Sequence, residues 1–307
     1  MTTPSALTAR HLRHVAARWL QAAQPALVVR VQAIRGSTPR EVGVRMLVGG
    51  ANQMEGVQDS VLGTIGGGHL EWQAIDLARK ALAEAATHAA AHTPSSSKPL
   101  APWQQTFALG PTLGQCCGGV VELAFEPLTE ATLQAWTLPP PRFHLELHGA
   151  GHVGQAIVRL LTDIDCTVRW IDERADDAET CGADAPGLPT PADLAALPPH
   201  IRFVSTEQAE ADVADAPAGA CHLVLTHRHD LDLRIVHAVL QRGDFAFAGL
   251  IGSQTKRAKF MHRLEAMGAP DGTLARLTCP IGLPELNGKE PAVIAISVVA
   301  QLLQRTV

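Results

Sequence analysis

Apolar positions recur along this chain at two spacings, and the alternation between them marks out its elements. Residues 8–23 place Leu12, Val15, Trp19 and Ala23 on one stripe, as in an amphipathic helix, and Pro25 ends it. Residues 26–34, 44–48 and 61–65 read as strands, followed by a long alanine-rich helix to about residue 91. Residues 103–109 and 119–125 read as two further strands. From residue 143 the grammar changes. Phe143, Leu145 and Leu147 lead into Gly149-x-Gly151-x-x-Gly154, which opens a segment with helical apolar spacing at Val153, Ile157, Leu160 and Leu161. Residues 166–171 then form a second apolar run that ends in Asp172. Strand, glycine turn, helix and a strand with a terminal acid make a β-α-β unit carrying the dinucleotide-type fingerprint.

Strand-like runs at residues 201–205, 221–226 and 245–251 alternate with helical segments, and an apolar helix starts near Pro291, a suitable first-turn residue. The pattern predicts an α/β protein: an N-terminal α/β domain over residues 1–136, a linker TLPPPR over 137–142, and a C-terminal Rossmann-like domain with a doubly wound parallel sheet over 143–307. The C-terminal helix could cover its own sheet or pack back on the N-terminal domain.

Composition narrows the setting. A hydrophobic fraction of 46% with 18% charged residues is that of a soluble globular protein, and a net charge of -5 without basic clusters argues against nucleic acid. No run approaches the roughly 20 apolar residues of a membrane span, and the first residues lack an apolar leader core, so a cytoplasmic protein is expected. The six cysteines follow no regular framework, which makes free thiols the default.

The candidate chemistry is grouped in glycine-rich loops. Gly66, Gly67, Gly68 and His69 lie between a strand and a helix, the layout of an anion-binding nest, although a tight turn without ligand fits the same layout. Cys116 and Cys117 precede Gly118 in a loop between two strands. A disulfide between neighbours is strained, and an extended loop would turn only one thiol toward a given site. A soft-metal ligand, a sulfur carrier, a nucleophile or a pair of small buried residues remain open. Gly149, Gly151, His152 and Gly154 can approach an anionic ligand, and Asp172 can accept from a ribose hydroxyl. His227, His229, Asp230 and Asp232 resemble metal ligands, yet polar residues capping a strand-to-helix turn explain them too, with Asp230 as the cap, and His227 and His229 could equally contact a cofactor held by the glycine turn. Ser253, with Lys256 and Arg257 one turn on, suits a phosphate.

Seven segments in order carry a resemblance: RGSTPREVG (35–43), GTIGGGHLEW (63–72), LGPTLGQCCGG (109–119), HGAGHVG (148–154), THRHDLD (226–232), GLIGSQTKRAKF (249–260) and CPIGLP (279–284). Through them the chain resembles the XdhC/CoxI family of xanthine dehydrogenase accessory proteins. The resemblance implies a chaperone rather than a catalyst. It would bind the molybdenum cofactor (Mo-molybdopterin), assist exchange of an oxo for a sulfido ligand by a cysteine desulfurase, and deliver the product to xanthine dehydrogenase. A homodimer is the expected assembly. Where some relatives carry a cysteine after the glycines, this chain has Gly68-His69, so a thiol contact to molybdenum falls to Cys116 or Cys117. The cofactor is expected against that loop and one or both glycine turns. The competing reading is an NAD-dependent oxidoreductase with a nucleotide on the Rossmann turn, but the chain has no tyrosine to act as base. A pure scaffold that docks desulfurase to dehydrogenase is the third.

Overall fold

The structure, a computed structural model, describes residues 8–50, 60–91, 100–110, 118–175 and 187–305. It divides into two compact units at Pro139/Pro140. In the first, the chain runs α1 (Ala9–Gln21), β1 (Ala26–Arg35), β2 (Arg45–Gly49), β3 (Val61–Gly63), α2 (Gly68–Ala91), β4 (Trp103–Ala108), β5 (Val120–Pro127) and α3 (Glu130–Ala135). The strands form an antiparallel sheet in the order β3-β2-β1-β5-β4.

Successive side chains of a strand point to opposite faces, and β1 uses both. Leu27, Val29 and Val31 pack with Leu70, Ala74 and Ala78 of α2. Ala26 and Val28 pack with Leu12, Ala16 and Trp19 of α1 and with Trp136. Each fully buried leucine or valine among them contributes about 1.5–3 kcal/mol, and this packing is why α1 holds as a helix despite being short. Thr8 caps it, accepting from the His11 N–H at 3.2 Å. The pairings Arg35↔Val120, Ala108↔Val120 and Met46↔Gly63 bring the β1–β2, β3–α2 and β4–β5 connections to one edge of the sheet.

In the second unit come β6 (His144–His148), α4 (His152–Leu161), β7 (Thr167–Asp172), α5 (Pro191–Ala195), β8 (Ile201–Ser205), β9 (Cys221–Val224), α6 (His229–Arg242), β10 (Phe247–Leu250), α7 (Gln254–Ala266), α8 (Asp271–Leu274), β11 (Leu277–Thr278) and α9 (Pro291–Arg305). Six parallel strands pair in the order β11-β10-β9-β6-β7-β8, the Rossmann arrangement with its switch point between β6 and β9. Leu145, Leu147, Leu223 and Phe247 meet α4 and α9 on one face. Val224, Ala248 and Leu250 meet α6 and α7 on the other. The C-terminal helix α9 therefore lies beside α4, within this unit. Among the described residues no helix is long and apolar enough to cross a membrane. The α/β class and the doubly wound parallel sheet are as the pattern predicts.

One local expectation differs. Asp230 does not cap α6: the helix starts at His229 with Arg228 in the cap position, and Asp230 sits in the first turn, bound by Arg228 at 2.8 Å and Arg234 at 3.2 Å. Two exposed guanidiniums outcompete the backbone for its carboxylate and hold its pKa down at about 2.

Candidate functional site

In the first unit, three glycine-bearing loops close on one another at the sheet edge. A Cβ on Gly119 would strike the Ser37 carbonyl and come within 2.8 Å of the Arg35 carbonyl, and a Cβ on Gly66 would lie 2.6 Å from Pro39 Cγ. Only glycine allows the RGSTPREVG loop to touch both the β3–α2 turn and the end of the CCGG loop. Cys116 and Cys117 lie outside the described residues. Gly118, just after them, is exposed, and among the described residues nothing lies within 4 Å of a Cβ built on it.

The turn at Gly66, Gly67 and Gly68 has three consecutive positive φ values, +126°, +72° and +67°. Its donors are turned inward. Glu71 Oε2 accepts from the Ile65 N–H at 2.9 Å, the Gly67 N–H at 3.1 Å and the Thr64 hydroxyl at 2.6 Å, while Gly66 donates to Thr64 Oγ1. The carboxylate is 5% exposed, so the chain supplies its own anion to this nest. What faces outward is the start of α2: exposed His69 stacks on Trp72 at 5.6 Å and is hydrogen-bonded to Gln73 at 3.2 Å.

In the second unit, the residues after β6, β7, β9 and β10 gather at the carboxyl edge of the sheet. Gly149 (φ +123°) sits at the switch point, where a Cβ would strike the Leu225 carbonyl, and a Cβ on Gly154 would strike the Gly149 carbonyl. Gly151 has nothing within 4 Å of a Cβ. It leads into α4, whose first turn carries no acid. Exposed His152 starts the helix, 3.3 Å from a Cβ built on Gly187. Asp172 Oδ2 accepts from the Ala150 N–H at 2.6 Å and Arg174 Nη2 at 2.7 Å, and Oδ1 accepts from Arg174 N and Nε. Burial pushes this carboxyl up, but the hydrogen bonds from Arg174 and Ala150 outweigh it and hold its pKa below the usual range. Both oxygens are thus engaged by the chain, and a ribose diol would have to compete with Arg174.

After β9, Thr226 donates its N–H and hydroxyl to Asp232 Oδ1, and Lys256 Nζ lies 2.6 Å from Asp232 Oδ2 and 2.9 Å from the Ile251 carbonyl. Asp232 is fully buried. Lys256, which looks like a phosphate ligand in the sequence, neutralises a buried acid instead. Ser253 caps α7 by accepting from the Lys256 N–H at 3.2 Å. His227 Nε2 and Arg228 Nη1 lie 3.7 and 3.4 Å from Glu173 Oε1, linking the ends of β9 and β7.

Below this edge is a polar layer that the sequence pattern does not single out. On the face opposite Leu145 and Leu147, β6 carries Glu146 and His148, and neighbouring β9 carries His222, all at most 2% exposed. Glu146 accepts from Arg169 Nε and pairs with His144 Nε2, both at 2.7 Å. Neither ring nitrogen of His148 has a hydrogen-bond partner among the described residues, and burial holds its pKa down to about 3 and that of His222 to about 4. Cys166, Cys221 and Cys279 are buried; Cys181 lies outside the described residues.

Residues 145–302 match the model described as the XdhC Rossmann domain, and residues 19–92 match that of the XdhC and CoxI family. The chain is similar to the protein YqeB of Escherichia coli (strain K12), with 26% identity over 283 residues, which covers 91% of this chain and 43% of that protein. It therefore spans less than half the length of this relative. A crystal structure described as a xanthine dehydrogenase from Bacillus halodurans shares the fold, with a TM-score of 0.64 at 17% identity over 95% of each chain.

Proposed function

This chain belongs to the XdhC and CoxI family, and from that premise we propose that it carries the molybdenum cofactor during maturation of a xanthine dehydrogenase. In this reading it binds the anionic pterin cofactor as cargo, in the cytoplasm and as a homodimer. It holds the cargo while a cysteine desulfurase supplies the terminal sulfur, then passes it to the dehydrogenase.

The observation that supports this most is the convergence of the RGSTPREVG loop, the glycine turn and the end of the CCGG loop at one edge of the first sheet. The groups presented there suit an anionic, planar ligand. Gly67 and Gly118 leave open space, His69 and Trp72 offer aromatic faces, and the Arg40 guanidinium is unpaired among the described residues. Cys116 and Cys117 would add a soft sulfur donor for molybdenum.

The test is to co-produce the chain with the cofactor pathway, isolate it without oxygen, and measure molybdenum and pterin per chain for wild type, Cys116→Ala and Cys117→Ala. A carrier retains both, and at least one cysteine variant loses them. Wild type with neither would leave a scaffold.

A second reading, a nucleotide on the Rossmann turn, draws on open Gly151 and the acid-free first turn of α4. A rise in melting temperature with NAD or NADP, absent in Gly151→Val, would support it.

A further inference from the structure

The first unit contains a cavity of about 180 Å³ whose polar lining is biased toward positive charge and hydrogen-bond donors. Arg40 from the β1–β2 loop, Arg45 at the start of β2, Thr64 and Trp136 line it, with Leu12 and Val44 as apolar wall. Among the described residues no acid does.

The two guanidiniums are poorly matched within the chain. Arg40 makes no side-chain hydrogen bond or ion pair among the described residues. Arg45 donates to the Gly43 carbonyl at 3.0 Å and lies 5.0 Å over the Trp136 ring, but has no carboxylate partner among the described residues. Glu126, whose charge reaches it, is taken by Arg30 at 2.9 Å. Burial and the charge of Arg30 accordingly hold the Arg45 pKa below the ordinary guanidinium value.

Trp136 supplies an independent sign. It is 3% exposed, and its indole N–H has no hydrogen-bond partner among the described residues. A buried donor without an acceptor is costly, and native chains keep few of them. Thr64 adds no free donor, since its hydroxyl is given to Glu71. Glu71 itself does not line the cavity, and its Oε2 is directed at the Thr64 hydroxyl and the Ile65 and Gly67 N–H groups.

We propose that this cavity binds a tetrahedral oxyanion, with Arg40 and Arg45 as charged donors and Trp136 as a neutral one. Guanidinium forks match the edges of such an ion, and a cavity with room for roughly six waters holds one with part of its hydration shell. The shared chemistry covers a free ion and the terminal phosphate of a larger ligand. The inference shares Arg40 with the proposed cofactor edge, but its test uses the protein without cargo, so a failure of cofactor loading and a failure of oxyanion binding are read separately.

Calorimetric titration of the full chain, free of cargo, with inorganic phosphate and with glycerol 3-phosphate tests it. Binding of at least one, weakened as NaCl is raised, is expected. Preference for inorganic phosphate would identify a free ion as the occupant. Equal or tighter binding of the monoester would identify the phosphate end of a larger molecule. Arg40→Met changes an exposed, unpaired side chain and leaves the fold intact, and Arg45→Met removes the half-buried one. Each should weaken binding about tenfold, and Trp136→Phe less. No binding of either probe at millimolar concentration, or Arg40→Met and Arg45→Met titrating like wild type, would overturn the proposal.

Discussion

His148 and His222 stack 6.0 Å apart, with rings within 12° of parallel, between two neighbouring strands of the Rossmann sheet. Both must be neutral in the folded state, where burial lowers their pKa values to about 3 and about 4 from 6.5. Below pH 6.5 the unfolded chain takes up protons that the folded chain refuses. Stability is therefore complete above that pH and falls as pH drops toward 4, by up to about 1.4 kcal/mol per pH unit for each histidine. Urea midpoints measured across this window should fall steeply for wild type and less steeply for His222→Gln. Equal slopes would remove the pair as the cause.

The Asp232–Lys256 pair gives an asymmetric expectation. Lys256→Met strands a fully buried carboxylate and should lower unfolding free energy by about 3–5 kcal/mol. Adding Asp232→Asn removes the uncompensated charge, so the double variant should recover most of the loss. A double variant no more stable than Lys256→Met would show that the pair is not the origin of the effect.

Glu71 is expected to be structural first. Glu71→Ala leaves the Ile65 and Gly67 N–H groups and the Thr64 hydroxyl without their acceptor, at a cost of about 2 kcal/mol or more. Glu71→Gln retains one acceptor oxygen and should cost less. Chemical denaturation ranks the three proteins, and indistinguishable midpoints would contradict the arrangement.

Two glycines of one motif should respond in opposite ways. Gly149→Ala meets the Leu225 carbonyl at a φ of +123° and should destabilise the second unit by about 2 kcal/mol or more. Gly151→Ala, at φ -70° and in open space, should leave thermal stability near wild type. A stable Gly149→Ala protein would be incompatible with the close approach of β6 and β9.

Period-two and period-3.6 patterns revealed the sheets because the apolar residues of β1, β6 and β9 report which face is buried. They also gave the Rossmann turn, since Gly149 and Gly154 are required by contacts a few residues away. The polar layer was hidden. In HLELH the alternation suggests a solvated face, whereas a parallel sheet covered by helices on both sides buries Glu146 and His148 as fully as Leu145 and Leu147. The inward use of Glu71 and Lys256 was hidden for another reason: a charged side chain near a turn reads the same whether it faces a ligand or its own backbone. A hint was available at Glu71, whose spacing from the glycines puts it one helical turn inside α2. Trp136 gave no signal at all, because its neighbours Arg45 and Leu12 are distant in sequence and meet it only once α1, β2 and residue 136 pack on one face of the sheet.

The occupied glycine turn bears on timing as well as on stability. A loop whose amides already close on Glu71 holds one shape whether or not anything is docked beside it. A ligand docking beside it would require no folding or melting of that segment. In the carrier proposed above, exchange at this edge would be governed by contacts on the outer face alone.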